Sequence, residues 1–197
     1  MKKELYIIDS HALIYRAYYA FQKLNLKTPS GFPTGACYGF VQCLINIFRQ
    51  YKPEYIVAVM DSGKPTWRHQ RFPNYKSNRQ KMPEDLIKQL PKIEEILNAF
   101  GILIEKHDGI EADDLIFSIT NLACINGFNV SIISKDKDLM GCISDGKDGR
   151  VQMLCPNGNG VFELIDDDKV IKKFGVPPFK LWDYLAMVGD SSDNIPG

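Results

Sequence analysis

Nothing in these 197 residues reads as an export or membrane signal. The opening Met1-Lys2-Lys3-Glu4-Leu5-Tyr6-Ile7-Ile8-Asp9 holds an apolar run too short for a signal peptide, and no later run approaches transmembrane length, so a cytoplasmic protein is expected. Charge of one sign is missing too. Lys+Arg and Asp+Glu number 24 each, which excludes the uniformly basic surface of a simple DNA-binding module. Cysteine is sparse: Cys37, Cys43, Cys124, Cys142 and Cys155 form an odd set with no CxxC pair, and they read as reduced core residues. His11, His69 and His107 lack zinc spacing and read as surface or structural histidines. No GxxxxGK[ST] loop is present, and Asp136-Lys137-Asp138-Leu139-Met140-Gly141 lacks the fifth-position oxygen and the twelfth-position Glu of an EF-hand. Without repeats, low-complexity tracts or a Pro/Gly/Ser linker, and with 45% hydrophobic and 24% charged residues, one globular domain is expected.

What is present is an alternation of strands and helices. Leu5 to Ile8, Tyr55 to Met60, Ile102 to Ile104 and Val130 to Ile133 read as strands. Thr34 to Tyr51 reads as a helix capped by Thr34, with Tyr38, Val41, Leu44, Ile45 and Phe48 on its apolar stripe. A second helical pattern runs from Pro83 to Phe100, kinked or split at Pro91 and ended by Gly101. Glu111 to Asn126, Asp167 to Phe174 and Pro178 to Val188 complete the helices. Two short strands between Arg150 and Leu164, around Pro156-Asn157-Gly158-Asn159-Gly160, predict a hairpin added antiparallel at one edge. The fold class is therefore α/β, a mostly parallel sheet with helices on both faces.

In such a sheet the carboxyl ends of the strands share one edge, where α/β folds place their sites. Asp9 and Asp61 directly follow strand-like runs and Asp136 comes three residues after another. Glu111-Ala112-Asp113-Asp114 and Asp136-Lys137-Asp138 open helices, and either alone is explained by satisfaction of free N–H groups and the helix dipole. Seven acids on one edge are not, because so many like charges need compensation, for which hard divalent cations with oxygen ligands are suited. Two such ions roughly 4 Å apart serve phosphodiester hydrolysis in nucleases and polymerases. Asp190 and Asp193, in Gly189-Asp190-Ser191-Ser192-Asp193-Asn194, form an Asp-rich turn that gains interest only from this company.

The least regular stretch, Ser62 to Met82, contains KPTWRHQRFPNYKSNRQK. It carries Lys64, Arg68, Arg71, Lys76, Arg79 and Lys81 with no acid, interleaved with Trp67, Phe72 and Tyr75. Cations for phosphates beside aromatics for bases suit single-stranded nucleic acid, although a solvated basic loop has the same composition. Because the stretch leaves the strand ending at Asp61, it should stand over the acidic edge.

The segments IIDSHALIYRAYYA, TGACYGFVQCL, VAVMDSGKPTWRHQRFPNYKSNRQKMPEDL, GIEADDLI, ISKDKDLM and FGVPPFKLWDYLAMVGDSSDNIPG cover essentially the whole chain. They resemble the 5′-nuclease domain of bacterial DNA polymerase I, related to flap endonucleases and the PIN-like fold. The resemblance implies a 5′-3′ exonuclease or structure-specific flap endonuclease acting in replication and repair. Its substrates would be DNA with a 5′ single-stranded end or flap, including an RNA primer in an RNA–DNA hybrid, and a polymerase domain would share the parent chain. It implies two Mg²⁺ ions, replaceable by Mn²⁺: one held by Asp9, Asp61, Glu111 and Asp113, the other by Asp136, Asp138 and Asp193, with Asp114 and Asp190 nearby through water. Residues 62–83 would form a helical arch or clamp over the site. Lys76 and Arg79 match its phosphate-contacting positions, with Lys76 stabilising charge on the reacting phosphate, and products would carry a 5′-phosphate and a 3′-hydroxyl. Arg68 and Arg71 join the DNA contacts, Tyr75 would stack on a terminal base, and Arg16 would hold the 5′ side, unless it is a plain helix-surface residue.

Two departures matter. Ser10 stands where the family has Gly after its first Asp, a change that should tighten the backbone without removing a ligand. The chain also stops at Gly197, where the family's helix-hairpin-helix and its potassium site would be completed. The expectation is a fragment that lacks the duplex grip, binds metals, and cuts DNA slowly or not at all. The rivals are a phosphatase or phosphotransferase, whose aspartate-nucleophile type wants an Asp where His11 stands, and a non-catalytic, metal-assisted flap-binding module.

Overall fold

Successive residues of a strand point to opposite faces, yet Ile7 and Ile8 of β1 (Glu4–Asp9) are both fully buried, so the sheet must be covered on both sides. The computed structural model describes residues 2–147, 149–158 and 160–197; of the expected Asn157–Gly160 turn, Asn159 lies outside the described residues. After β1 come α1 (Ser10–Phe21), α2 (Gly35–Tyr51), β2 (Tyr55–Val59), α3 (Trp67–Arg71), α4 (Glu84–Ile87), α5 (Leu90–Ala99) and β3 (Leu103–Glu105). The chain continues through α6 (Ala112–Ile125), β4 (Asn129–Ile133), β5 (Ser144–Asp145), β6 (Arg150–Pro156), β7 (Phe162–Ile165), α7 (Asp167–Phe174) and α8 (Leu181–Val188).

The sheet order is β3-β2-β1-β4-β6-β5, with β7 also paired to β6. Strands β3, β2, β1, β4 and β6 are parallel, while β5 and β7 run antiparallel to β6. The expected hairpin is present, β6 pairing antiparallel with β7, but its joining to the sheet is corrected. Its first strand enters the sheet parallel to β4, because Val151, Met153 and Leu154 are buried and need cover on both faces. Only its second strand reverses.

On one face α1, α2 and α5 pack Ile14, Phe40, Leu44 and Leu97 against Ile8, Ala58 and Ile133. On the other, Ile116 of α6 and Leu181 of α8 cover Ile7, Val57 and Ile132. Each fully buried Leu, Ile or Phe contributes roughly 1.5–3 kcal/mol. The buried stripe of α2 is not the one expected: it runs Ala36, Gly39, Phe40, Cys43, Leu44 and Ile47, and Tyr38 is 48% exposed. Gly39 sets this phase, since a Cβ there would lie 2.8 Å from the Cβ of Ala17 and from the Phe21 ring. The missing side chain lets α1 approach.

Thr34 is the N-cap residue of α2 but makes no side-chain cap. The Gln89 side-chain carbonyl instead accepts from the amides of Ala36 and Cys37, at 2.9 and 3.1 Å. The pattern from Pro83 does split, with Pro91 in the first turn of α5. The Pro178 to Val188 pattern divides into a short 3-10 turn and α8. Helix α1 is not among the helices expected above. It starts without a break from β1, and Asp9, the last strand residue, is itself the N-cap. None of the five cysteines forms a disulfide among the described residues. No helix among the described residues is long and apolar enough to cross a membrane.

Candidate active site

Register dictates where the acids meet. Strand β1 pairs with β2 and β4 on its two sides, so that Asp9 lies beside Val59 and Ile8 beside Ile133. Asp61 and Asp136, two and three residues beyond those strand ends, therefore flank Asp9 at the carboxyl edge. The N-terminus of α6 points at the same edge and adds Glu111, Asp113 and Asp114. Asp61 ties the two together, its carboxylate accepting from the Ala112 amide at 2.8 Å.

Asp9 is 5% exposed; it accepts from the Ala12 amide at 3.2 Å and from the Ser134 hydroxyl at 2.6 Å. Burial pushes its pKa up to about 6, opposed by those two hydrogen bonds and assisted by the charges of Asp136 and Asp61. Asp113 is driven further, to about 8, first by burial and then by Asp136, Asp9 and Asp61. Its carboxyl makes no hydrogen bond among the described residues. Asp138 rises to about 6 through burial and Asp136, and its Oδ1 is buried without any partner. Asp136 is held by local geometry, accepting from the Asp138 amide at 2.9 Å. Asp190 accepts from Ser192 and lies 3.2 Å from Lys137.

The basic stretch folds down onto this edge. Only five residues, Trp67–Arg71, are helical. Prolines 65, 73 and 83 interrupt longer helix, and Lys76 takes a left-handed backbone at φ 56°. Its side chains grip the acids. Arg68 binds Asp114 through two nitrogens at 2.6 and 2.8 Å, which holds the Asp114 carboxyl below the usual carboxylate range. Glu111, 7% exposed, accepts from Tyr75 and Lys76, both at 2.9 Å, and from Thr66 at 3.3 Å. Asp193, also 7% exposed, accepts from Tyr75 at 3.1 Å and pairs with Arg79, while the Lys76 amide donates to its carbonyl at 2.9 Å.

Between these groups opens a cavity of about 620 Å³. Arg68, Tyr75, Glu111, Asp113, Asp114, Asp138, Asp190 and Asp193 line its polar side, and Phe117, Trp182 and Leu185 contribute to its apolar side. Nine expected acids thus gather at or beside one edge. Glu111 and Asp193 are neutralised by the basic segment, whereas Asp9, Asp61, Asp113, Asp136 and Asp138 face mainly one another. Among the described residues no three of these groups already converge at metal-ligating distance. The donor set still suits a hard divalent cation: all oxygen, mutually repulsive, and including one buried carboxylate oxygen without a partner.

The remaining expected residues lie elsewhere. Arg71 is exposed on α3, and Arg16 donates to the Asn157 carbonyl between β6 and β7. Tyr75 is 6% exposed, its ring edge-on to His69, so here it offers its hydroxyl to carboxylates rather than a face to a base. Sequence reasoning missed Ser134, which links Asp9 to the Asp136 amide, and Trp182, whose indole donates to the Asp138 carbonyl at 2.9 Å. His11 accepts from the Asp61 amide and is structural. Ser10, where a glycine was expected, is fully buried with an unpartnered hydroxyl.

The chain is 42% identical over 196 residues to a DNA polymerase I of Treponema pallidum, which spans the whole chain but only 19% of that protein. It is 41% identical over 195 residues to a 5′-3′ exonuclease of Aquifex aeolicus, covering 99% of the chain and 64% of the relative. Among solved structures, a bacteriophage T5 flap endonuclease in a pseudo-enzyme–product complex with DNA and metal ions shares the fold at TM-score 0.78 and 22% identity, over 99% of this chain and 70% of that one. A T5 5′-exonuclease with bound zinc ions aligns at TM-score 0.76 and 23% identity, over 99% and 70% of the two chains. The family model of the 5′-3′ exonuclease N-terminal, resolvase-like domain matches residues 4–175, and the chain belongs to that family.

Proposed function

We propose that this chain is the catalytic part of a divalent-metal-dependent 5′-3′ exonuclease and flap endonuclease that hydrolyses DNA phosphodiesters. The observation that carries the reading is the gathering of Asp9, Asp61, Asp113, Asp136 and Asp138 at one edge, where burial first and the neighbouring carboxylates second lift Asp113 to about 8 with no hydrogen bond to its carboxyl among the described residues. A fold spends stability on such repulsion where a cation is to bind. The metal-bearing T5 structures share this fold.

Asp9, Asp61, Glu111 and Asp113 would hold one Mg²⁺, and Asp136, Asp138 and Asp193 a second, with Asp114 and Asp190 nearby. Bound ions supply neutralising charge and Lewis acidity for attack by water on a phosphodiester. The chain's own residues do the rest. Lys76 and Arg79, now paired with Glu111 and Asp193, are the cations positioned to transfer to a phosphate once metals take over those carboxylates. Arg68 stays on Asp114 and anchors the segment, with Arg71 free to meet the strand. Phe117, Trp182 and Leu185 exclude water from one wall. The substrate would be a 5′ flap or end, including an RNA primer on DNA, with a polymerase domain in the parent protein.

The test is an end-labelled 5′-flap duplex in Mg²⁺ or Mn²⁺, with chelator and Asp113→Asn as controls. Cleavage lost in both controls, with flap binding kept in Asp113→Asn, supports the nuclease. Equal loss of binding and cleavage in that variant favours a non-catalytic binding module.

A further inference from the structure

A second cavity, of about 650 Å³, lies across the segment Asp138–Cys142 from the carboxylate pocket. That segment is the partition: Asp138, Leu139 and Cys142 face the acids, and Met140 faces the second cavity. The charged lining there is Lys135, Lys169, Lys172 and Lys173 against a single acid, Glu163. Lys169 is paired with Glu163 at 2.8 Å, while Lys135, Lys172 and Lys173 make no ion pair among the described residues. The side chains converge on one concavity, which Lys135, Lys172 and Lys173 line together with Cys155.

Lysines in the last turn of a helix complement its dipole, which accounts for Lys172 and Lys173 on α7. It does not account for Lys135, which projects from the loop after β4 one residue before Asp136. Three uncompensated cations around one concavity focus positive potential in a chain whose net charge is zero. We propose that this cavity is a second phosphate-backbone contact, gripping DNA on the far side of the carboxylates from the Lys64–Lys81 segment. Cations then bracket the acidic pocket on both sides, which fits a long polyanion of regularly spaced phosphates lying across it. An acidic peptide could satisfy the lysines but gains nothing from the second bracket. The inference rests on the DNA-hydrolysing reading above.

The experiment compares the full chain with Lys135→Gln/Lys172→Gln/Lys173→Gln, and with a control carrying Lys27→Gln/Lys52→Gln. Fluorescence anisotropy on a 5′-flap duplex is measured from 50 to 200 mM KCl. Each phosphate contact contributes about 0.9 to the slope of log affinity against log salt. The triple variant should therefore lose roughly 2 to 3 from the slope, and the wild type should fall about 40-fold more than the variant across that range. At saturating flap its cleavage rate should match wild type, with KM raised. A slope equal to that of the control overturns the proposal, as does tighter wild-type binding to polyglutamate than to duplex. If the triple variant loses slope as expected while the wild type never cuts, the contact stands and the reading of this chain as active by itself falls.

Discussion

Replacing Asp113 with Asn should stabilise the metal-free protein, the opposite of what most substitutions at a half-buried position do. The sign follows from the direction of the shift. Folding raises this carboxyl from the ordinary 3.8 to about 8, so its contribution to stability is whole below about pH 4, drains as pH rises, and is exhausted near pH 8. At about 1.4 kcal/mol for each pKa step the full cost approaches roughly 6 kcal/mol, and relaxation of the wild-type site around the charged carboxylate brings the expected gain at pH 7 to about 2–4 kcal/mol. Urea unfolding in EDTA, followed by circular dichroism at pH 5, 6, 7 and 8, should give curves for wild type and Asp113→Asn that diverge with pH. Adding Mg²⁺ should raise wild type more than the variant. A variant less stable than wild type at pH 8 in EDTA, or a difference that does not change between pH 5 and 8, would refute the account of Asp113 as a carboxylate disfavoured by burial and by its acidic neighbours.

Ser10→Ala should gain about 1 kcal/mol in the same unfolding assay, because a buried hydroxyl without a partner is removed; a loss would show that Ser10 is bonded. Gln89→Leu strands the amides of Ala36 and Cys37 at the start of α2 and should cost about 1–3 kcal/mol, read as a lower urea midpoint. Tyr75→Phe removes the hydroxyl shared by Glu111 and Asp193; it should loosen the 62–83 segment, detected as faster amide exchange there, and lower flap cleavage.

Much of the architecture is local and could be read from the chain. The β-branched runs lie on strands of three to six residues, and Asp9, Asp61 and Asp136 mark the sheet edge because strand ends and helix starts leave signatures within a few residues. Features set by distant partners were not readable. The stripe of α2 is fixed by the approach of α1 at Gly39, and its cap comes from Gln89, more than fifty residues away. Helix α1 has no turn before it, since Asp9 ends the strand and caps the helix at once. β6 looked like an edge strand, but pairing on both sides is a property of the sheet. At the site, composition placed the cations over the acids, but not Tyr75 beneath the segment with its hydroxyl between Glu111 and Asp193. The lysine cavity has no signature in the sequence, because Lys135 and Lys172 meet only in three dimensions.

The most direct test is anomalous diffraction from crystals of this chain equilibrated with Mn²⁺. The account predicts two peaks at the carboxyl edge, one among Asp9, Asp61 and Asp113 and one beside Asp136 and Asp138, with Lys76 withdrawn from Glu111. A folded protein with no anomalous density at that edge under saturating Mn²⁺ would contradict it.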